Sequence, residues 1–373
     1  MLNPADDFPV HQTPEPIAHY GAPSRNAYDR YFFNGYTPDG ELFFAVAMGL
    51  YPNRQVIDAS LSVLVDGQQR SLHASGRAPL DRMDTRVGPI RVEVVEPLRT
   101  LHIVVDEPER GFRADMRFTA RTVAVEEPRF TFRQGTNVTF DYTRMSQWGT
   151  WSGELEVDGR TWQIGELDVK GTRDRSWGIR PVGEREAGGA PGALPQFFWL
   201  WAPINFDDMC THFDTNDLAD GRPWHRSGAI VPVLNSPRAP VLDAGGVAEP
   251  MRDVRWHIDW QPGTRRATRA TIDLVPWRGE PEHIDLEPIA TFQMLGLGYL
   301  SSEWNHGVWH GELEVGDETW TVDDLDPLSH QHLHVQQLVR ATWGDRTGLG
   351  VLEQLAIGPH EPSGFTGLLD GAP

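Results

Sequence analysis

An all-β chain of two antiparallel domains in tandem is predicted by three features of these 373 residues. Short runs alternate apolar and polar side chains with the period of two that a half-buried strand requires. Turn clusters of Gly, Pro and Asp recur at intervals of about ten residues, and helical periodicity is scarce. The segment Trp151–Asp168 (WSGELEVDGRTWQIGELD) recurs 158 positions later as Trp309–Asp326 (WHGELEVGDETWTVDDLD), with ten of eighteen positions identical. A period of that size is a domain rather than a solenoid or propeller repeat, which implies internal duplication.

Residues 1 to about 27 read as a proline-rich, irregular lead-in. Two aromatic runs then flank Thr37-Pro38-Asp39-Gly40, and two alternating runs flank Asp66-Gly67, each a hairpin by its turn chemistry. From Gly88 the pattern continues through GPIRVEVVEP, RTLHIVVDEP, FRADMRFTARTVAVEE and RFTFRQGTNVTFDYTRM. The offset of 158 makes FFWLWAPINF and THFDTNDLADG the close of the first copy. The expected domains are therefore 1–225 and 226–373, the second built from RSGAIVPV, VRWHIDW, ATRATIDLVPW, HIDLEPIATFQML, the repeated segment, HLHVQQLVRATW and TGLGVLEQLAIG. Two Gly-rich stretches, VGEREAGGAPGALPQ and SPRAPVLDAGGVAEP, read as connections; the first lacks the strand-to-helix context and the Lys-Ser/Thr ending of a phosphate loop.

Composition narrows the function. A formal charge of -20 argues against nucleic acid and against an anionic membrane surface, since both require a basic face. The single cysteine, Cys210, excludes a disulfide framework, and its acidic surroundings disfavour a nucleophilic thiolate. The N-terminus has neither the basic nor the apolar region of a secretory signal, and no apolar run is long enough to span a bilayer, so a cytoplasmic location is expected. Fourteen tryptophans are the distinctive excess, and Trp suits the wall of an apolar ligand site because it joins a large apolar area to one N–H donor.

Downstream of each repeat lies a polar segment of different chemistry: GTRDRSWG after the first, SHQHLHVQ after the second. Asp174, crowded by Trp177, is a candidate proton donor if desolvation raises its pKa; the alternative is that Arg173 or Arg175 holds it ionised. His330, His332 and His334 would share one face of a strand, as a hydrogen-bonded row, as acid–base groups or as zinc ligands. No metal and no cofactor is assigned. Glu353, in the apolar run GVLEQ, faces a polar cavity or pairs with an arginine such as Arg340; His306, aligned with Trp148, joins it as a candidate. The GxSxG, HExxH, GxGxxG and CxxC signatures are absent.

The tandem halves and Asp174-Arg175-Ser176-Trp177-Gly178 resemble the carotenoid 1,2-hydratase-like and Diels–Alderase-like superfamily of two-barrel, lipocalin-related proteins. The closing segment Gly348–Phe365 is more similar to an uncharacterised bacterial branch, and Arg175 stands where a hydratase has His. The resemblance implies two calycin-type barrels around an apolar cavity. It also implies a cofactor-free enzyme acting on a terpenoid, polyketide or lipid by hydration, dehydration, isomerisation or cyclisation; a carrier of such a ligand is the alternative. In the catalytic reading Asp174 or Glu353 moves the proton, His332 is its partner and His306 assists. Trp148, Trp151, Trp177, Trp199, Trp201, Trp304, Trp309 and Arg175 are the expected ligand-binding residues.

Overall fold

Local chemistry builds the predicted hairpins. At Thr37–Glu41 the Thr37 amide donates to the Leu42 carbonyl at 3.1 Å, Asp39 accepts from the Glu41 amide at 3.0 Å, and Gly40 takes a φ of 78°. Asp66 and Gly67 adopt φ of 51° and 73°, the doubly left-handed turn that matches strand twist. The computed structural model, which describes residues 1–184, 195–243 and 246–373, is all-β: its only helices are 3₁₀ turns of three or four residues. Among the described residues no helix is long and apolar enough to cross a membrane. The expected connections at 182–196 and 236–250 lie partly outside the described residues.

The strands form two antiparallel sheets of 14 and 10 strands. In the first, Val87, Ile90 and Val92 near one end of the strand order share an apolar cluster with Leu61, Leu72 and Ala74 near the other, so the sheet curls towards a barrel. In the second, Val254 and Ile258 from one edge meet Phe213 from the opposite side. A third cluster lies between the sheets, where Phe32, Phe43 and Ala45 meet Trp199, Trp201 and Leu338. That contact explains why Leu42–Tyr51 reads as a continuous apolar run: Phe44, Val46 and Met48 face the first barrel's core, and the alternate side chains face the second sheet.

The change of sheet does not fall at the expected position 225. Phe197–Trp201 and Met209–Asp217 are strands of the second sheet, whereas Leu313–Thr321, from the second repeat, pairs along Gln68–Arg77 at the edge of the first. The two repeats also fold differently. In the first, Asp158-Gly159 (φ 51° and 78°) turns the chain so that Glu154–Val157 pairs with Arg160–Gln163. In the second the order is Gly316-Asp317, which does not suit that turn, and the chain runs straight.

Gly316 is needed for another reason. It lies opposite His73, on whose ring Trp304 stacks at 5.2 Å, and a Cβ on Gly316 would stand 2.4 Å from Trp304 Cζ2. Gly316→Ala is therefore expected to cost about 1–3 kcal/mol by forcing the indole aside, read as a lowered urea midpoint.

Candidate active site

Between the sheets is a cavity of about 740 Å³, a size that suits one small organic ligand. Its first wall comes from the strand Lys170–Ile179, which lies between Ala27–Tyr36 and Asn137–Val157. Period-two alternation sends Asp174 and Ser176 into the cavity, while Arg173 donates to Gln147 and Arg175 pairs with Asp29. Cross-strand register sets Phe32 beside Asp174, and Arg30 and Arg144 beside Ser176, on the same face. The facing wall is the strand Arg346–Ile357, which presents Glu353, Leu355 and Ile357, with Trp199 from Phe197–Trp201.

Two carboxyl groups on this cavity are driven apart. Glu353 accepts from His334 Nε2 at 2.7 Å, Gln336 Nε2 at 2.8 Å and Trp199 Nε1 at 3.2 Å. Burial works against its charge, but His334, Gln336 and Arg144 outweigh burial and hold the carboxyl below its ordinary value. Asp174 receives no such hydrogen bonds among the described residues. Burial, reinforced by the charges of Glu127 and Glu353 and opposed by Arg144 and Arg30, raises it from 3.8 to about 6. Asp174 is half-buried and lines the cavity.

His334 completes the pair. Its Nε2 is held by Glu353, and among the described residues its Nδ1 has no hydrogen-bond partner, so the carboxylate orients the ring and leaves Nδ1 available as a proton acceptor. Tyr299 packs edge-on against both His334 and His306, at 4.6 and 4.4 Å between ring centroids. The loop that presents it turns through Gly298 (φ 86°) and Leu300 (φ 57°), the latter an uncommon conformation for a leucine. His306 is occupied on both sides: Nδ1 accepts from Arg30 at 2.6 Å and Nε2 donates to the Leu297 carbonyl at 2.8 Å. Burial, with Arg30 and Arg180, holds it well below its ordinary pKa, so it is a neutral ring that positions Arg30.

Arg144 stacks over Trp199 at 4.7 Å and Trp201 at 5.3 Å, and donates to Glu127 at 2.7 Å and Asp214 at 3.1 Å. Burial disfavours its charge, but the two acids hold its pKa above the ordinary value. Ligand atoms of Glu127, His212 and Asp214 lie within 4.8 Å of one another, a spacing that suits a metal ion. The Arg144 guanidinium already supplies the cation that the two carboxylates, Glu127 and Asp214, share.

Of the residues expected from sequence, Asp174, Glu353, His306 and Trp199 come together on the cavity. His332 does not. His330–His332 is a 3₁₀ turn rather than strand, so the three histidines share no face; His330 and His334 line the cavity, and His332 turns back to the Asp326 carbonyl at 2.9 Å. Replacing it, as His332→Gln, is expected to change turnover by less than about two-fold.

The other tryptophans lie elsewhere. Trp151 fills the first barrel and donates to the Asn34 carbonyl, Trp148 packs against Val123 and Val231, and Trp201 lies beneath Arg144. Trp177 and Trp309 are exposed, Trp304 stacks on His73, and Arg175 sits over Tyr31 with Asp29. The wall therefore mixes apolar side chains, Phe140, Phe197, Leu355 and Ile357, with the charged groups described above, rather than being Trp-lined throughout. Cys210 is buried, and burial pushes its thiol up to about 12, which removes it as a nucleophile. Sequence reading passed over Arg30, Arg144, Arg180 and Tyr299, whose partners are remote in the chain.

The fold and site define a class: an all-β protein of two curled sheets that enclose a ligand-sized cavity with acid–base groups on its wall. Within that class, the chain belongs to a family of unknown function (DUF8625), whose model matches residues 2–366. No curated protein matches it in sequence. The AttH-type protein of Nitrosomonas europaea is similar in structure, with a TM-score of 0.54 and 14% identity over 88% of this chain and 92% of that one. Kievitone hydratase from Nectria haematococca is also similar, with a TM-score of 0.51 and 11% identity over 91% of this chain and 93% of that one. At such identities the likeness is one of fold, and it agrees with the two-barrel architecture expected from the sequence.

Proposed function

We propose that this protein is an enzyme that moves protons on a hydrophobic small molecule, by hydration, dehydration, isomerisation or cyclisation, with no cofactor. One observation carries the proposal: two carboxyl groups on a single cavity are pushed in opposite directions, Asp174 up to about 6 and Glu353 below its ordinary value. Asp174 is the general acid, protonated over a range where an ordinary aspartate is ionised. His334 is the general base, oriented by Glu353 as a carboxylate orients the imidazole of a catalytic triad. Phe140, Phe197, Leu355 and Ile357 hold the apolar part of the substrate. A protein of the same fold that is by name a hydratase supports this class of reaction.

The test is mass spectrometry of small molecules that co-purify with the protein, followed by their incubation with fresh enzyme in deuterated water. Gain or loss of one water, or an isomer carrying solvent deuterium on carbon, is expected. Return of the ligand unchanged and undeuterated would make the protein a carrier.

A further inference from the structure

Arg180 lies one residue past the strand that bears Asp174 and lines the same cavity. Among the described residues it has no carboxylate at ion-pair distance, and its Nη2 is buried without a hydrogen-bond partner. Its guanidinium rests over the rings of Tyr28 at 4.6 Å and Tyr299 at 5.8 Å. Ring faces soften the burial of a cation but do not supply a carboxylate for its N–H groups. The other two guanidiniums on this cavity are engaged: Arg144 by Glu127 and Asp214, Arg30 by His306 and the Leu297 carbonyl. Asp58, the carboxylate whose charge Arg180 feels, is already bound by the Tyr51 hydroxyl at 3.1 Å and the Gly307 amide at 2.7 Å.

We propose that the ligand of this cavity is an amphipathic acid, an apolar skeleton bearing one carboxylate that pairs with Arg180. This rests on the reading of the cavity as the substrate site and names the substrate's polar end. A buried guanidinium is neutralised most completely by such a group, because planar bidentate geometry satisfies two N–H donors at once.

Calorimetric titration with 1-naphthylacetate and its neutral amide, 1-naphthylacetamide, tests the pairing. Wild-type protein is expected to bind the acid about ten-fold or more tightly than the amide. Arg180→Met should abolish that preference while leaving amide affinity within about two-fold, and Arg180→Lys should retain part of it. Equal affinity of the wild type for acid and amide, failure of the acid to bind, or a preference that survives Arg180→Met would overturn the inference. The wild-type comparison decides the matter even if a variant fails to fold. Because the readout is binding, an overturned pairing leaves proton transfer by Asp174 to be judged separately on turnover.

Discussion

Asp174→Asn is expected to lose turnover and gain stability at once. Asparagine keeps the size and a hydrogen-bonding amide but cannot deliver a proton, so turnover should fall by about 10²–10⁴-fold with ligand affinity little changed. The stability effect follows from the same carboxyl, raised from 3.8 to about 6, first by burial and then by the nearby acids. A folded-state pKa above the unfolded one means that folding takes up protons. The stabilising contribution of the neutral form is complete below 3.8 and is lost as pH rises through about 6. At about pH 8 the folded protein carries an ionised, desolvated Asp174 at a cost of up to about 3 kcal/mol, which the variant avoids. The variant's urea midpoint should therefore exceed that of the wild type at about pH 8 and match it at about pH 3, where both side chains are neutral. Turnover of the wild type should fall as pH rises through about 6, when the acid loses its proton. Loss of activity with loss of stability at high pH would point to misfolding instead.

Arg144→Met is the largest expected structural lesion. Arg144 is 7% exposed, and its guanidinium stands between Glu127, at 2% exposed, and Asp214, fully buried. Methionine fills much of the volume and retains contact with Trp199 and Trp201, but it leaves two buried acids without their shared cation. Removing one partner of such a group costs about 3–5 kcal/mol, because the desolvation of the remaining charges is no longer offset. Arg144→Lys should recover only part of this, since an ammonium can neither fork between two carboxylates nor stack as a plane on the indoles. Denaturation by urea reads the loss directly, and a change below about 1 kcal/mol would show that the network is not needed for the fold.

The strand-level fold was legible because its determinants are local. Period-two alternation and the turns at Thr37–Gly40 and Asp66-Gly67 specify hairpins within a few residues, and the register follows. Assembly of the sheets was not legible. The inversion from Asp158-Gly159 to Gly316-Asp317 separates a hairpin from a straight strand, and nothing near Leu313–Thr321 announces that its partner is Gln68–Arg77, at the edge of the first sheet.

The site divides in the same way. Asp174 stood out as an acid flanked by arginines and Trp, and Glu353 as an acid in an apolar run. The expected row of His330, His332 and His334 on one face depended on strand phase, which a 3₁₀ turn at His330–His332 resets just before Val335. The tryptophan count suggested an aromatic-walled pocket, yet a large side chain that fills a barrel, as Trp151 does, looks the same in sequence as one facing a ligand. Arg144 and Arg180 gave no local signal, because what surrounds them comes from segments tens to hundreds of residues away.

The proton held at the cavity wall can be observed without a substrate. Infrared difference titration of wild-type protein against Asp174→Asn isolates the carboxyl stretch of that one side chain. A neutral carboxyl that persists as pH is raised and disappears only near 6 is the expected result. A carboxyl that has already ionised near its ordinary value of 3.8 would show that Asp174 is an ordinary carboxylate, and proton donation from it would no longer stand.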